Sequence, residues 1–119
     1  MLDSLILLRD GTVDLTATEA PAGKMLSRGA RATLKVIVPA VTGTTPTLNI
    51  VLSDCDTLGG TYVAVHTVPQ ITATSTYYFT WTIDPKRPYV KAVPTVGGTT
   101  PNFGKTVIGV DVAGQYENL

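Results

Sequence analysis

The sequence holds one cysteine, Cys55, and one histidine, His66. A single thiol excludes an internal disulfide framework and any cysteine-based zinc cluster. A single imidazole excludes a multi-histidine metal centre, and any Ser/His/Asp relay would have to run through His66. Charge is sparse as well: 15% of residues are Asp, Glu, Lys or Arg, against about 25% in typical soluble domains. Nine basic and nine acidic residues cancel, so the whole molecule has no strong pull toward nucleic acid or an anionic membrane. Long apolar runs are also missing. Leu5–Leu8 is a short run behind Asp3, too short for a secretory h-region or a membrane span. The expectation is a chain made and folded in a cytoplasm. No segment of helical length repeats its apolar residues with a period of 3.6.

What the chain does have is Thr, Val and short alternating runs. Its 119 residues make one domain, 1–119, with a short N-terminal apolar strand and a short polar tail from Gly114. A chain of this length buries roughly two-thirds of its unfolded surface and needs no metal or disulfide to fold. With so little charge, much of the surface must be Thr, Ala, Gly and short apolar side chains. That suits a protein that buries much of its outside in an assembly.

The run SLILLR at 4–9 closes on Asp10-Gly11, a turn dipeptide. Val13, Leu15 and Ala17 then alternate with Asp14, Thr16 and Thr18, which predicts an antiparallel strand and a hairpin with the first run. Residues 20–31 read as a loop, broken by Pro21, Gly23 and Gly29. Leu34, Val36 and Val38 share one strand face, and Leu48, Ile50 and Leu52 share another. Pro39–Pro46 between them reads as a loop. A turn at Asp54–Gly60 leads into an alternating run over 61–67, and residues 71–75 read as a polar connector.

The clearest amphipathic strand is 76–83, with Tyr77, Phe79, Trp81 and Ile83 on one face. With the only Trp and both Phe between residues 76 and 112, the best-packed core is expected here. Its predicted members include Phe79, Trp81, Ile83, Val90, Ile108 and Val110. In the next run, 89–96, Pro94 cannot donate to a ladder, which predicts an edge or a bulge. A turn cluster at Gly97–Asn102 separates it from the last strand, 103–112. About eight short strands with regular turn signals predict an all-β, antiparallel β-sandwich. The strand number favours a jelly roll of eight, and an immunoglobulin-like sandwich of seven is the alternative.

Catalytic signals are weak. His66 sits mid-strand and no G-x-S-x-G elbow accompanies it. Asp54-Cys55-Asp56 with Gly59-Gly60 has part of a calcium loop, but Leu58 stands at the next ligand position and no late Glu follows. A turn bonded by its own Asp side chains accounts for it. The two carboxylates beside Cys55 disfavour its thiolate. Gly97-Gly98 lacks the following Gly-Lys-Ser/Thr of a phosphate loop. No acid pair marks a glycosidase. Lys86, Arg87 and Lys91 lie near aromatics, as in single-strand binders, but the aromatic face is more simply core. The reading is a non-enzyme without cofactor or metal, bound to neither nucleic acid nor membrane. The most uneven charge is basic: Lys24, Arg28, Arg31 and Lys35 fall between Glu19 and Asp54 with no acid among them. With Leu5 and Leu7 of the N-terminal run, they are the candidate contacts for a partner or a neighbouring subunit.

Two stretches carry a resemblance. Thr47–Asp54, a turn, and Gly60–Val65 resemble the strand–turn–strand of small tailed-phage head proteins. The segment from Asp84 to Phe103 is similar to their K-R-Y-[VL]-[RK]-x-x-x-T-V-x-G-T-x-P-x-F pattern. The match runs through Lys86, Arg87, Tyr89, Val90, Lys91, Thr95, Val96, Gly98, Thr99, Pro101 and Phe103. Pro88 and Pro94 interrupt the pattern. The family it resembles is that of phage capsid cement or decoration proteins of the Bordetella-phage type. The resemblance implies a jelly-roll subunit, usually a homotrimer, bound to the major capsid protein on the exterior of a virion and assembled in the host cytoplasm. A carbohydrate- or receptor-binding sandwich of a virion is the second reading, since jelly rolls also serve as lectins.

Overall fold

The computed structural model describes residues 5–112, with the side chain of Leu5 and both chain ends outside the described residues. Eight strands form: β1 (Leu5–Asp10), β2 (Lys24–Met25), β3 (Arg31–Val38), β4 (Thr42–Cys55), β5 (Val63–Thr67), β6 (Ser75–Thr82), β7 (Tyr89–Asn102) and β8 (Val107–Val112). Two four-stranded antiparallel sheets have the orders β1-β8-β3-β6 and β2-β7-β4-β5. No described residue is helical.

One long ribbon organises the fold. In the first sheet Leu34 opposes Val110 and Val36 opposes Ile108. In the second, Leu48 opposes Val96 and Leu52 opposes Ala92. The register is the same in both sheets, so Arg31–Cys55 and Tyr89–Val112 form a single antiparallel ribbon that bends from one sheet into the other. β1 and β2 flank its β8–β7 strand, and β6 and β5 flank its β3–β4 strand. This connectivity is that of an eight-stranded jelly roll. The period-two pattern of the ribbon sends Leu34, Val36, Val38, Leu48, Ile50, Leu52, Ile108, Val110 and Val112 inward, all buried. Fully burying one such side chain is worth about 1.5–3 kcal/mol.

Several sequence expectations change. Residues 12–19 form no strand and no hairpin with β1. β1 pairs with β8 instead, whose alternating apolar face matches its own. Within 12–19 only Leu15 is buried, while Val13 is 67% exposed. The Leu15 backbone donates to the Gly104 carbonyl and accepts from the Phe103 amide, so Leu15 is the residue that anchors the segment in the core. Residues 20–31 are not wholly loop, because Lys24–Met25 pairs with Val90 and Tyr89 of β7. Ile71 is not part of a polar connector: it is buried and exchanges two backbone hydrogen bonds with Leu48.

The predicted loop at 39–46 and the turn cluster at 97–102 are largely strand. Thr42 pairs with Asn102, Thr44 with Thr99 and Thr47 with Gly97, through two register shifts that cancel. Both strands carry the pattern V-P-x-V-x-G-T-T-P, at 38–46 and 93–101. Gly43 and Gly98 take φ of 115° and 103°, and Thr45 and Thr100 both take 46°. Residues that read as turn formers here make a paired bulge, which bends and twists the ribbon. Pro94 fits the edge expectation in a specific way. Its carbonyl accepts from the Glu19 amide, and the Val96 amide donates to the Thr18 hydroxyl. The missing N–H of Pro94 therefore lies on the flank of β7 away from β4, where it removes no ladder bond.

Of the predicted core, Trp81, Ile83, Val90, Ile108 and Val110 are buried. Phe79 is the correction. It is half-buried and packs against the core from its margin, because β6 is an edge strand and Phe79 faces the opening between the sheets.

Candidate functional site

The six candidate contact residues fall into two groups. Leu7 lies on β1 opposite Gly109 of β8, and Lys24 on β2 reaches across to donate to the Leu7 carbonyl at 2.6 Å. Arg28, just beyond β2, donates to the Pro85 carbonyl at 2.6 Å. Between β1 and the segment after β2 runs a groove of about 520 Å³ lined by Ile6, Met25, Leu26, Ser27 and Arg28. Leu26 is buried with its amide on the Pro88 carbonyl, and the Gly29 amide donates to the Ile83 carbonyl, which fixes the groove wall. Met25 is 52% exposed and forms the apolar lip. Leu5 belongs to β1, with its side chain outside the described residues.

Arg31 and Lys35 lie elsewhere. They project from the outward face of β3, where the Arg31 guanidinium donates to the Thr82 hydroxyl and Lys35 lies 5.8 Å from the Tyr78 ring centroid. The basic stretch is thus not one patch. Arg28 lines the groove and Lys24 adjoins its Met25 lip, while Arg31 and Lys35 sit on a Thr-rich sheet face. The sequence reading did not single out Ile6, Met25 and Leu26. The Met25-Leu26 pair between two basic residues is the signal that would have marked them.

Other charged side chains are committed to the fold. Arg9 makes two hydrogen bonds to the Glu19 carboxylate, at 2.9 and 3.0 Å, and two more to the Thr106 and Val13 carbonyls. Arg87 holds the Asp54 carboxylate at 2.7 Å and its carbonyl at 2.8 Å. Asp54 hydrogen bonding, ahead of its charge, pushes the Arg87 guanidinium further above its usual range. The pair uses up the first acid of the Asp54-Cys55-Asp56 turn. Cys55 itself is buried. Lys91 lies 4.3 Å from the centroid of the Tyr62 ring, an intramolecular cation–π contact. Burial foremost, then Cys55 and Tyr89, pushes the Tyr62 phenol up. Among the described residues no three His, Cys, Asp or Glu side chains converge as a metal site, and no buried side-chain N or O lacks a partner.

The aromatic face of β6 forms a seam with β5. His66 stacks on Phe79 with centroids 3.7 Å apart and on Tyr77 at 5.9 Å. Phe79 stacks on Trp81 at 6.1 Å, and His66 Nε2 is 2.8 Å from the Tyr77 hydroxyl. The rings spend their faces on one another. A sugar platform needs free faces, so this arrangement suits closure of the sandwich better. Beside it, residues 69–77 line a second hollow of about 310 Å³. Comparison with protein-family models, with curated proteins and with solved structures finds no match for this chain.

Proposed function

We propose that this protein is a structural subunit of a phage virion. It decorates the outside of the head as a homotrimer and stabilises the shell by binding the major capsid protein. The observation that carries this reading is the groove between β1 and the segment after β2. Of the residues expected to make contacts, Arg28 lines it, and Lys24, next to the lining Met25, donates to the Leu7 carbonyl of β1. An apolar floor with basic rims accepts an apolar segment carrying acidic residues, which is a protein-contact chemistry rather than a catalytic one. The resemblance over roughly residues 30–112 supports the same role, as does a jelly-roll body with few charges.

The test is saturable co-sedimentation with heads that lack the protein. Lys24→Glu combined with Met25→Glu should abolish it while the far-UV spectrum stays unchanged. Absence of binding by the unaltered chain, or full binding by the variant, would overturn the assignment. Deleting residues 1–10 is a poor test, because it strips β1 from β8 and with it Ile6 and Leu8, which pack on the core. The second reading, a carbohydrate- or receptor-binding module, is disfavoured by the seam, whose rings stack on one another. It predicts that a sugar changes Trp81 fluorescence.

A further inference from the structure

We infer that the side of the sandwich formed by β5 and β6 is a self-association surface, on which a second copy of this chain adds to the free edge of β6. The first observation is a charge map. From Thr57 through Ile83 the chain contains no Asp, Glu, Lys or Arg. Both β5 and β6 lie inside this stretch, each is the last strand of its sheet, and the His66–Phe79 stack joins them into one side of the molecule. The nearest formal charges are Arg31 and Lys35 of the neighbouring β3, which reach the Thr82 hydroxyl and the Tyr78 ring of β6 from its inner flank.

The second observation is the contrast between edges. Exposed strand edges are normally guarded by charge, proline, a bulge or a very short strand. On the opposite side β1 has a register shift at Leu7/Arg9, carries Arg9 and Asp10, and has its Leu7 carbonyl covered by Lys24. β2 has only two residues. β6 has eight residues, no proline and no charge, and pairs with β3 without any register shift. No backbone hydrogen bond outside the β3 ladder is made by Ser75–Thr82. Its outer edge is regular and unguarded.

The third observation is apolar exposure. Of the five most exposed large apolar side chains in the described residues, Leu58, Val63 and Tyr78 belong to this uncharged stretch. Together these features select the occupant. Copies of one chain bring like groups together, and like charges are the usual obstacle. Along β5 and β6 themselves that obstacle is absent, and the charge beside them is confined to Arg31 and Lys35 on the β3 flank. An eight-residue strand at about 3.3 Å per residue, on a molecule 21 Å across its shortest axis, offers on the order of 500 Å² per copy. Two copies then bury about 1,000 Å², the lower bound for a specific interface.

The test is the mass of the full chain by light scattering across its soluble concentration range. The unaltered protein should be an oligomer. Thr76→Lys with Thr80→Lys on β6 should return it to a monomer with an unchanged far-UV spectrum, and Val63→Lys on β5, whose side chain is already exposed, should weaken association independently. Thr16→Lys, exposed away from this side, should leave the oligomer intact. A monomeric unaltered protein would overturn the inference, as would an oligomer indifferent to both β5 and β6 substitutions. A monomer that sediments with zwitterionic vesicles would assign the surface to lipid and overturn it too. The groove variants Lys24→Glu and Met25→Glu lie on the opposite side, so loss of particle binding and loss of self-association are read separately.

Discussion

Gly43 and Gly98 occupy mirrored positions in the β4–β7 ribbon. A Cβ on Gly43 would stand 2.7 Å from the Thr100 carbonyl oxygen and 2.9 Å from the Pro101 Cα. A Cβ on Gly98 would stand 2.6 Å from the Thr45 carbonyl oxygen and 2.9 Å from the Pro46 Cα. Each glycine therefore packs on the G-T-T-P segment that contains the other, and the two segments relate by a local two-fold.

This relationship predicts matched costs. Gly43→Ala and Gly98→Ala each combine positive φ with a clash against backbone that cannot swing away. Each should lower stability by about 2–3 kcal/mol in urea unfolding, and the two values should agree closely. Gly59→Ala, with nothing within 4 Å and no positive φ, should be nearly neutral. A clear disparity between Gly43 and Gly98 would refute the local symmetry.

The aromatic seam should behave as a coupled unit. Phe79→Ala should cost about 2 kcal/mol, less than a fully buried phenylalanine because Phe79 is half-buried. His66→Ala removes the ring stacked 3.7 Å away. A double-mutant cycle between the two should give a coupling of about 0.5–1.5 kcal/mol. Additive single and double variants would mean that the stack contributes only by area.

Arg87 anchors the end of β4 to the turn before β7 through two nitrogens, Nε on the Asp54 carboxylate and Nη2 on its carbonyl. Arg87→Met should lower the urea midpoint, and Arg87→Lys should fail to restore it, since one ammonium cannot reproduce the planar fork. Full rescue by lysine would reduce the contact to simple charge. If Arg87 instead faced a partner, its loss would weaken binding at unchanged stability.

Asp10 gives the pH dependence. Its carboxylate accepts from the Thr12 amide at 3.1 Å and from the Thr12 hydroxyl at 2.9 Å. The amide bond foremost, then the hydroxyl, holds the carboxyl below its usual value of 3.8. A carboxyl lowered in the folded state contributes stability that is present above its unfolded value and is lost as pH falls through the folded one. The stability gap between the native chain and Asp10→Ala should therefore be present at neutral pH and shrink below about pH 4. A gap that grows on acidification would contradict the sign.

The elements that the sequence made legible are those whose evidence is local. Leu34, Val36 and Val38, or Leu48, Ile50 and Leu52, announce strands because alternate side chains must face one core. The all-β class follows from such runs. Turn chemistry was less decisive. Gly, Thr and Pro meet the needs of a bulge as well as those of a turn, so 97–102 reads as a break until its partner at 42–47 is known.

What the tertiary structure alone decided was pairing and side. The alternation around Leu15 is as regular as that of β8, yet it is β8 that pairs with β1, and the segment around Leu15 forms no strand. Phe79 and Ile83 share a strand face, yet only Ile83 is fully buried, because β5 and β6, though consecutive in the chain, are edge strands of different sheets and leave an opening between them. The basic residues from Lys24 to Lys35 are close along the chain, but β2 and β3 belong to different sheets and divide them. Residue type and alternation are carried by the chain itself. Which edge stays open, which charges meet and which glycine faces which carbonyl depend on contacts made only once the ribbon has folded over.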